Sequence, residues 1–260
     1  MKRIRKVPNG LLLAVLLVLT AVTPAAAFEG QEGDKVVIAA GEVIDDDLYV
    51  GATEFILEGT VNGDVIAFGQ TVTINGTVNG DVISAAQTVV LNGKVIGSAR
   101  IAGNVVFVGE KAEVGRDLLG AGYSVEVRDG SVIQRDFLGA AGQILLAGDV
   151  LRNVKVGTAA FEMRGNVCGD ITAELGATTQ TQPTFAPTMF MPQSTIPIQV
   201  IKPGLTIDPA AKIEGNLEYV QDKELALPAG IVGGNVEFTP YVPDVVNLPK
   251  QPTYAERVSA

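Results

Sequence analysis

GTVNGDVIAFGQTVTIN, residues 59–75, is followed directly by GTVNGDVISAAQTVVLN, residues 76–92, and the two stretches agree at 12 of 17 positions. A unit this short cannot bury an apolar face of its own. Neighbouring copies must therefore stack and share one core, which makes the chain a solenoid before any other feature is considered.

The register extends well beyond these two copies. The residue after the second glycine recurs at Asp47, Asp64, Asp81, Ser98, Asp117, Asp136, Asn153, Asp170, Asn216 and Asn235, with steps of 17, 17, 17, 19, 19, 17, 17, 46 and 19. An apolar residue lies three positions before each marker, as in Val61, Val78 and Val95, and usually one lies directly after it. A second apolar pair closes the unit, as in Val72/Ile74, Val89/Leu91 and Ile144/Leu146. Its two-residue spacing is that of a strand.

Short β-branched segments, glycine at the corners and a 17- to 19-residue period predict an all-β, right-handed parallel β-helix of about ten turns over residues 28–238. Right-handedness follows from the general preference of parallel crossovers. A left-handed hexapeptide coil would need apolar residues at every sixth position, which Val61, Ala67 and Thr73 do not supply. Between 173 and 204 the repeat is interrupted by a Pro/Thr/Gln-rich insertion carrying Phe185, Met189, Phe190 and Met191, expected to lie across the flank of the rod. Residues 239–260, with four prolines, read as an extended tail.

Lys2, Arg3, Arg5 and Lys6, an apolar run from Leu11 to Val22, and Ala25-Ala26-Ala27 form the pattern of a secretory signal peptide, residues 1–27. The rest of the chain then holds 15 basic and 29 acidic residues, net −14. Such a surface repels nucleic acid and anionic lipid. A single cysteine, Cys168, leaves no internal disulfide, and its place in a turn reads as structural.

Three chemistries compete for a column of aspartates on successive turns. Carboxylates bind calcium; a pair about 5 Å apart suits a retaining glycosidase; and Asp, Asn and Ser all accept hydrogen bonds in tight turns. Ser98, Asn153, Asn216 and Asn235 occupy the same position as Asp47, Asp64, Asp81, Asp117, Asp136 and Asp170. They keep an acceptor and discard the charge, which favours a structural corner and predicts neither metal nor cofactor. Adjacent carboxylates at about 4.8 Å would repel by roughly 0.9 kcal/mol even in water, so neutral members also relieve strain.

The residue before the marker is glycine at 63, 80, 97, 169, 215 and 234, but Arg116, Arg135 and Arg152 in between. This strip would either contact an anionic envelope polymer or pair locally with Asp117 and Asp136, and local pairing is the simpler expectation. With no histidine in the chain, a Ser-His-Asp triad and a His-ligated zinc site are excluded. No Walker phosphate loop or dinucleotide fingerprint is present either.

The repeated Gly-x-Val-x-Gly-Asp-Val with its following apolar pair resembles the bactofilins over residues 35–172 and 204–238. That resemblance implies a right-handed β-helix that polymerises end to end, without nucleotide, into nonpolar filaments serving as envelope scaffolds. The signal peptide and the Pro-rich insertion depart from the family pattern. The expected function is a non-enzymatic, self-associating structural protein of the cell envelope, partnered by itself and by envelope polymer or membrane-associated proteins. The alternative is a polysaccharide-binding module or adhesin on the same rod. A polysaccharide lyase ranks third, for want of acids clustered in a long loop.

Overall fold

The computed structural model describes residues 29–176 and 196–242. The leader at 1–27, the cluster Phe185/Met189/Phe190/Met191 and the tail beyond 242 lie outside the described residues. Every described element is a strand, and every pairing is parallel. The chain is a parallel β-solenoid.

Each of the first nine circuits contributes strand to one main sheet and a two-residue strand to a second. Eight long strands have ten residues: Glu29–Ile38, Leu48–Leu57, Val65–Ile74, Val82–Leu91, Ala99–Val108, Leu118–Val127, Phe137–Leu146 and Val154–Met163. Ile171–Leu175, Leu217–Gln221 and Val236–Pro240 complete eleven rungs, numbered here from the N-terminus. At about 4.8 Å per rung the rod is roughly 48 Å long. The short strands, from Val43–Ile44 to Lys212–Ile213, stack into a second sheet of nine.

Within a long strand the burial alternation changes phase. In Val65–Ile74 the inward residues are Val65 and Ala67, then Val72 and Ile74, with Phe68 to Gln70 exposed between them. Val72 lies five positions after Ala67, an odd step for an alternating strand, so the strand bends, giving the circuit three sides around one core. The inward columns stack like on like: Val61, Val78, Val95 and Val114 are each fully buried. Removing each such side chain from water contributes roughly 1.5–3 kcal/mol, the main stabilising term.

The 19-residue circuits differ from the 17-residue ones in how one corner is made. Asn75-Gly76 and Asn92-Gly93 link long to short strand in two residues, whereas Gly109 to Ala112 and Arg128 to Ser131 are four-residue turns closed by Ala112 N–H to Gly109 O (2.9 Å) and Ser131 N–H to Arg128 O (3.2 Å). Gly130 adopts φ +86° in the latter, a conformation that favours glycine. The period therefore changes without disturbing the stack.

Two expectations are refined. The solenoid has a rung before the first marker, Glu29–Ile38, which pairs with Leu48–Leu57 although it lacks the Gly-Asp corner. The interruption is also narrower than the repeat alone implies. Ile171–Leu175 pairs with the first half of rung 8, while Gly204–Ile207 pairs with its second half, so the insertion is spliced into the middle of rung 9.

The returning leg of the insertion packs on the rod's flank. Gln199 N–H donates to Glu126 Oε1 at 3.1 Å, Ile201 N–H donates to Gln143 Oε1 at 3.3 Å, and Ile201 buries against Leu145 and Ala160. Glu126 is fully buried, and Arg128 meets it at 2.6 Å while lying over the Phe107 ring.

One core position breaks the apolar rule. Ser84 stands in the inward column between Ala67 and Ile101, is 3% exposed, and its hydroxyl has no partner among the described residues. Ser84→Ala is expected to stabilise the fold by about 1 kcal/mol, because it removes an unsatisfied polar group and leaves almost no void. A lower denaturation midpoint for the variant would contradict this assignment.

Candidate functional site

The polar corner is a ladder of cross-rung hydrogen bonds. Asp47 Oδ1 accepts from Asp64 N–H (2.8 Å), Asp64 Oδ1 from Asp81 N–H (2.7 Å) and Asp81 Oδ1 from Ser98 N–H (2.8 Å). Higher in the stack, Asp117 accepts from Asp136, Asp136 from Asn153, Asn153 from Asp170, Asp170 from Asn216 and Asn216 from Asn235. The acceptor thus serves the next rung, where the sequence pointed to a bond within its own turn. Asn and Asp are interchangeable here because the bond uses one oxygen that both possess.

This ladder explains the glycines. A Cβ on Gly80 or Gly97 would lie 2.2 Å from the Oδ1 of Asp64 or Asp81, inside contact distance. At the six glycine rungs the ladder bonds measure 2.7–3.0 Å. Where Arg135 and Arg152 supply a Cβ they lengthen to 3.3 and 3.1 Å. The same arginines approach the column's carboxylates, Arg135 reaching Asp117 at 3.6 Å and Arg152 reaching Asp136 at 3.2 Å. Arg100 does the same for Asp81 at 2.7 Å, a partner the sequence pattern did not single out. Arg116 adds its positive field near Asp81. Two of the three strip arginines, Arg135 and Arg152, thus contact aspartates of their own column while staying exposed to solvent.

The hydrogen bond from Arg100, then that from Ser98 N–H, hold the Asp81 carboxyl below the usual carboxylate range, against an opposing contribution from burial. A lowered folded pKa contributes stability that is present above the unfolded value near 4 and is lost as pH falls through the folded value. Asp81→Ala strands Ser98 N–H and Arg100 and is expected to cost about 1–2 kcal/mol at pH 7. Asp81→Asn keeps the acceptor and is expected to cost less than about 1 kcal/mol, since the ion pair is part-exposed. Denaturant titrations at pH 7 and pH 3 check both, and the gap between wild type and Asp81→Asn should narrow at the lower pH.

Elsewhere, partial burial first, and then the Glu214 and Asp149 carboxylates, raise the pKa of Cys168, whose side chain still reaches solvent. Its thiolate is scarce at neutral pH. Among the described residues no three acids or cysteines converge to hold a metal ion.

What the sequence reading missed is an apolar outer face. On the first side of the rod the column Tyr49, Ile66, Ile83, Arg100, Leu119, Leu138 points outward, with Phe68, Ile83, Leu119 and Leu138 between 37 and 50% exposed. Beside it runs a column of small residues, Ala85, Ala102, Ala121 and Ala140, entered at one end by Phe68. The two columns frame an open groove of about 580 Å³. The signal was present in the consecutive apolar pairs Val65-Ile66, Val82-Ile83, Leu118-Leu119 and Phe137-Leu138, which in a strand must place one residue on each face.

The ends of the rod are unlike each other. Among the described residues Glu29–Ile38 pairs on one side only, presenting a ten-residue open edge. At the far end Val236–Pro240 is a shorter edge, with Phe238 stacked on Tyr219 at 5.3 Å between ring centroids. Leu225 and Leu227, from the segment after Leu217–Gln221, pack onto the core there, and Leu225 N–H donates to the Tyr219 hydroxyl at 2.9 Å. No family model, curated protein or solved structure matches this chain.

Proposed function

We propose that this chain is a non-enzymatic structural protein of the cell envelope that self-associates through the ends of its solenoid, in the manner of the bactofilins it resembles. The observation that carries the reading is the open edge of Glu29–Ile38, a full-length strand paired on one side only among the described residues. Unpaired strand edges recruit further strands unless they are covered or charged. Export rests on the leader-like residues 1–27.

Glu32 and Asp34 stand against one cation, Lys35, on that edge strand, and Lys35 is already paired with Glu54 at 2.8 Å. Two such edges repel at low salt, and screening removes the penalty. Electron microscopy of residues 28–260 at low and high salt tests the proposal. Rods joined end to end, longer at higher salt, are expected; single rods about 48 Å long under all conditions would overturn it.

A further inference from the structure

The apolar groove offers a second, lateral contact, and its occupant can be read from its own shape and charge. We infer that it pairs two copies of this chain face to face with their axes antiparallel. A two-fold axis lying in the plane of the face and perpendicular to the rod sets each column against the same column of the other copy, with the rung order reversed. Phe68 is the one bulky residue in a column otherwise made of Gly and Ala from Gly51 to Gly157, so it is a knob whose matching trough lies on the same face three rungs away.

Charge selects the register. Setting Phe68 against Ala140 of the second copy would place Arg100 on Arg100. Setting it against Ala102 would press Glu32 onto Leu138 and Ala140. Setting it against Ala121 places Ile66 on Leu119, Tyr49 on Leu138 and Ile83 on the stem of Arg100, whose guanidinium is drawn aside to Asp81 at 2.7 Å. The same register brings Lys155 of rung 8 opposite rung 1, beside Glu32 of the second copy. Within one chain these two residues are seven rungs apart, about 34 Å, so they have no contact except between copies.

Six rungs by about 10 Å of width give roughly 300 Å² of flat face per rod, below the ~800 Å² per partner of a standard stable interface. Pairing of single rods is therefore weak. It strengthens in proportion to length when rods are joined, a gain that rests on the end-to-end reading, whereas the pairing itself does not.

Small-angle X-ray scattering separates the two processes, because mass per unit length reports width and ignores length. Mass per length should rise with concentration for the wild type, by about 1.6-fold for a pair of single rods overlapping over eight of eleven rungs and towards twofold when rods are joined. Phe68→Asp, at an exposed position, should return it to that of one rod without lowering the melting temperature. Lys155→Glu should weaken the pairing, and adding Glu32→Lys to it should restore it. Single-rod mass per length at every concentration, or pairing indifferent to Phe68→Asp and to the charge swap, would overturn the inference. Single rods that bind phosphatidylcholine vesicles through Phe68 would overturn it too, assigning the face to a membrane. Rods that pair but never lengthen would leave the inference standing and remove end-to-end assembly.

Discussion

Val78→Asp is expected to unfold several rungs at once. Val78 is fully buried, stacked between Val61 and Val95 in the column that lines the third side of the core. The substitution forfeits roughly 1.5–3 kcal/mol of apolar burial and adds about 2–7 kcal/mol for a carboxyl group with no partner in reach. Together these rival the whole stability of an ordinary domain. A solenoid holds each rung only through its two neighbours, so the damage spreads along the axis. Amide exchange should show lost protection across rungs 2 to 5 with the distant rungs less affected. A variant that melts with the parent would contradict the inward assignment.

Gly76→Ala is the second large effect, and it works through the backbone. Gly59, Gly76 and Gly93 stack at the corner between long and short strand, where a Cβ on Gly76 would lie 1.9 Å from the Gly59 carbonyl oxygen and 2.9 Å from Glu58 backbone atoms. Neither contact is the movable end of a side chain, so the rung itself must lift. Its ladder bonds, Thr77 N–H to Gly59 O and Asn79 N–H to Val61 O, would stretch. The expected cost is about 3 kcal/mol, at the upper end of overpacking effects. Gly51→Ala is the control, since a Cβ there meets nothing within 4 Å. It should be neutral or stabilising by up to about 1 kcal/mol, because alanine lowers the entropy of the unfolded chain. Equal melting temperatures for the two variants would show that the corners do not stack as described.

The solenoid was legible because its constraint is periodic. Each rung repeats the same demand for an inward Val or Ile and an acceptor at the corner, so ten imperfect copies reinforce one another where a single strand would be ambiguous. Rung 1 falls inside the expected span of 28–238 but outside the ten marked turns, because EGQEGDKVVI carries neither marker nor corner and its pairing with Leu48–Leu57 is what shows it to be a full rung. The direction of the Asp47-to-Asn235 bonds was hidden for a related reason. Spacing reveals that a side chain recurs at a corner, but only the superposition of rungs shows that its oxygen faces the next residue along the stack. Arg100 was overlooked because it sits two residues past its marker, outside the strip formed by Arg116, Arg135 and Arg152, yet it makes the shortest ion pair with the column. The groove beside Phe68 lies on the outer face, where the repeat imposes little.

All of this depends on consecutive circuits lying in register, and hydrogen-bond scalar couplings measure that register atom by atom. In deuterated, nitrogen- and carbon-labelled protein, NMR couplings should connect Asn62 nitrogen to the Ile44 carbonyl carbon, Asn79 nitrogen to that of Val61, and Ile96 nitrogen to that of Val78. Each link joins residues eighteen apart, one circuit and one residue along the chain. Couplings that instead join residues across local antiparallel hairpins, or that skip from Asn79 to a partner other than Val61, would contradict the stack and the surfaces built on it.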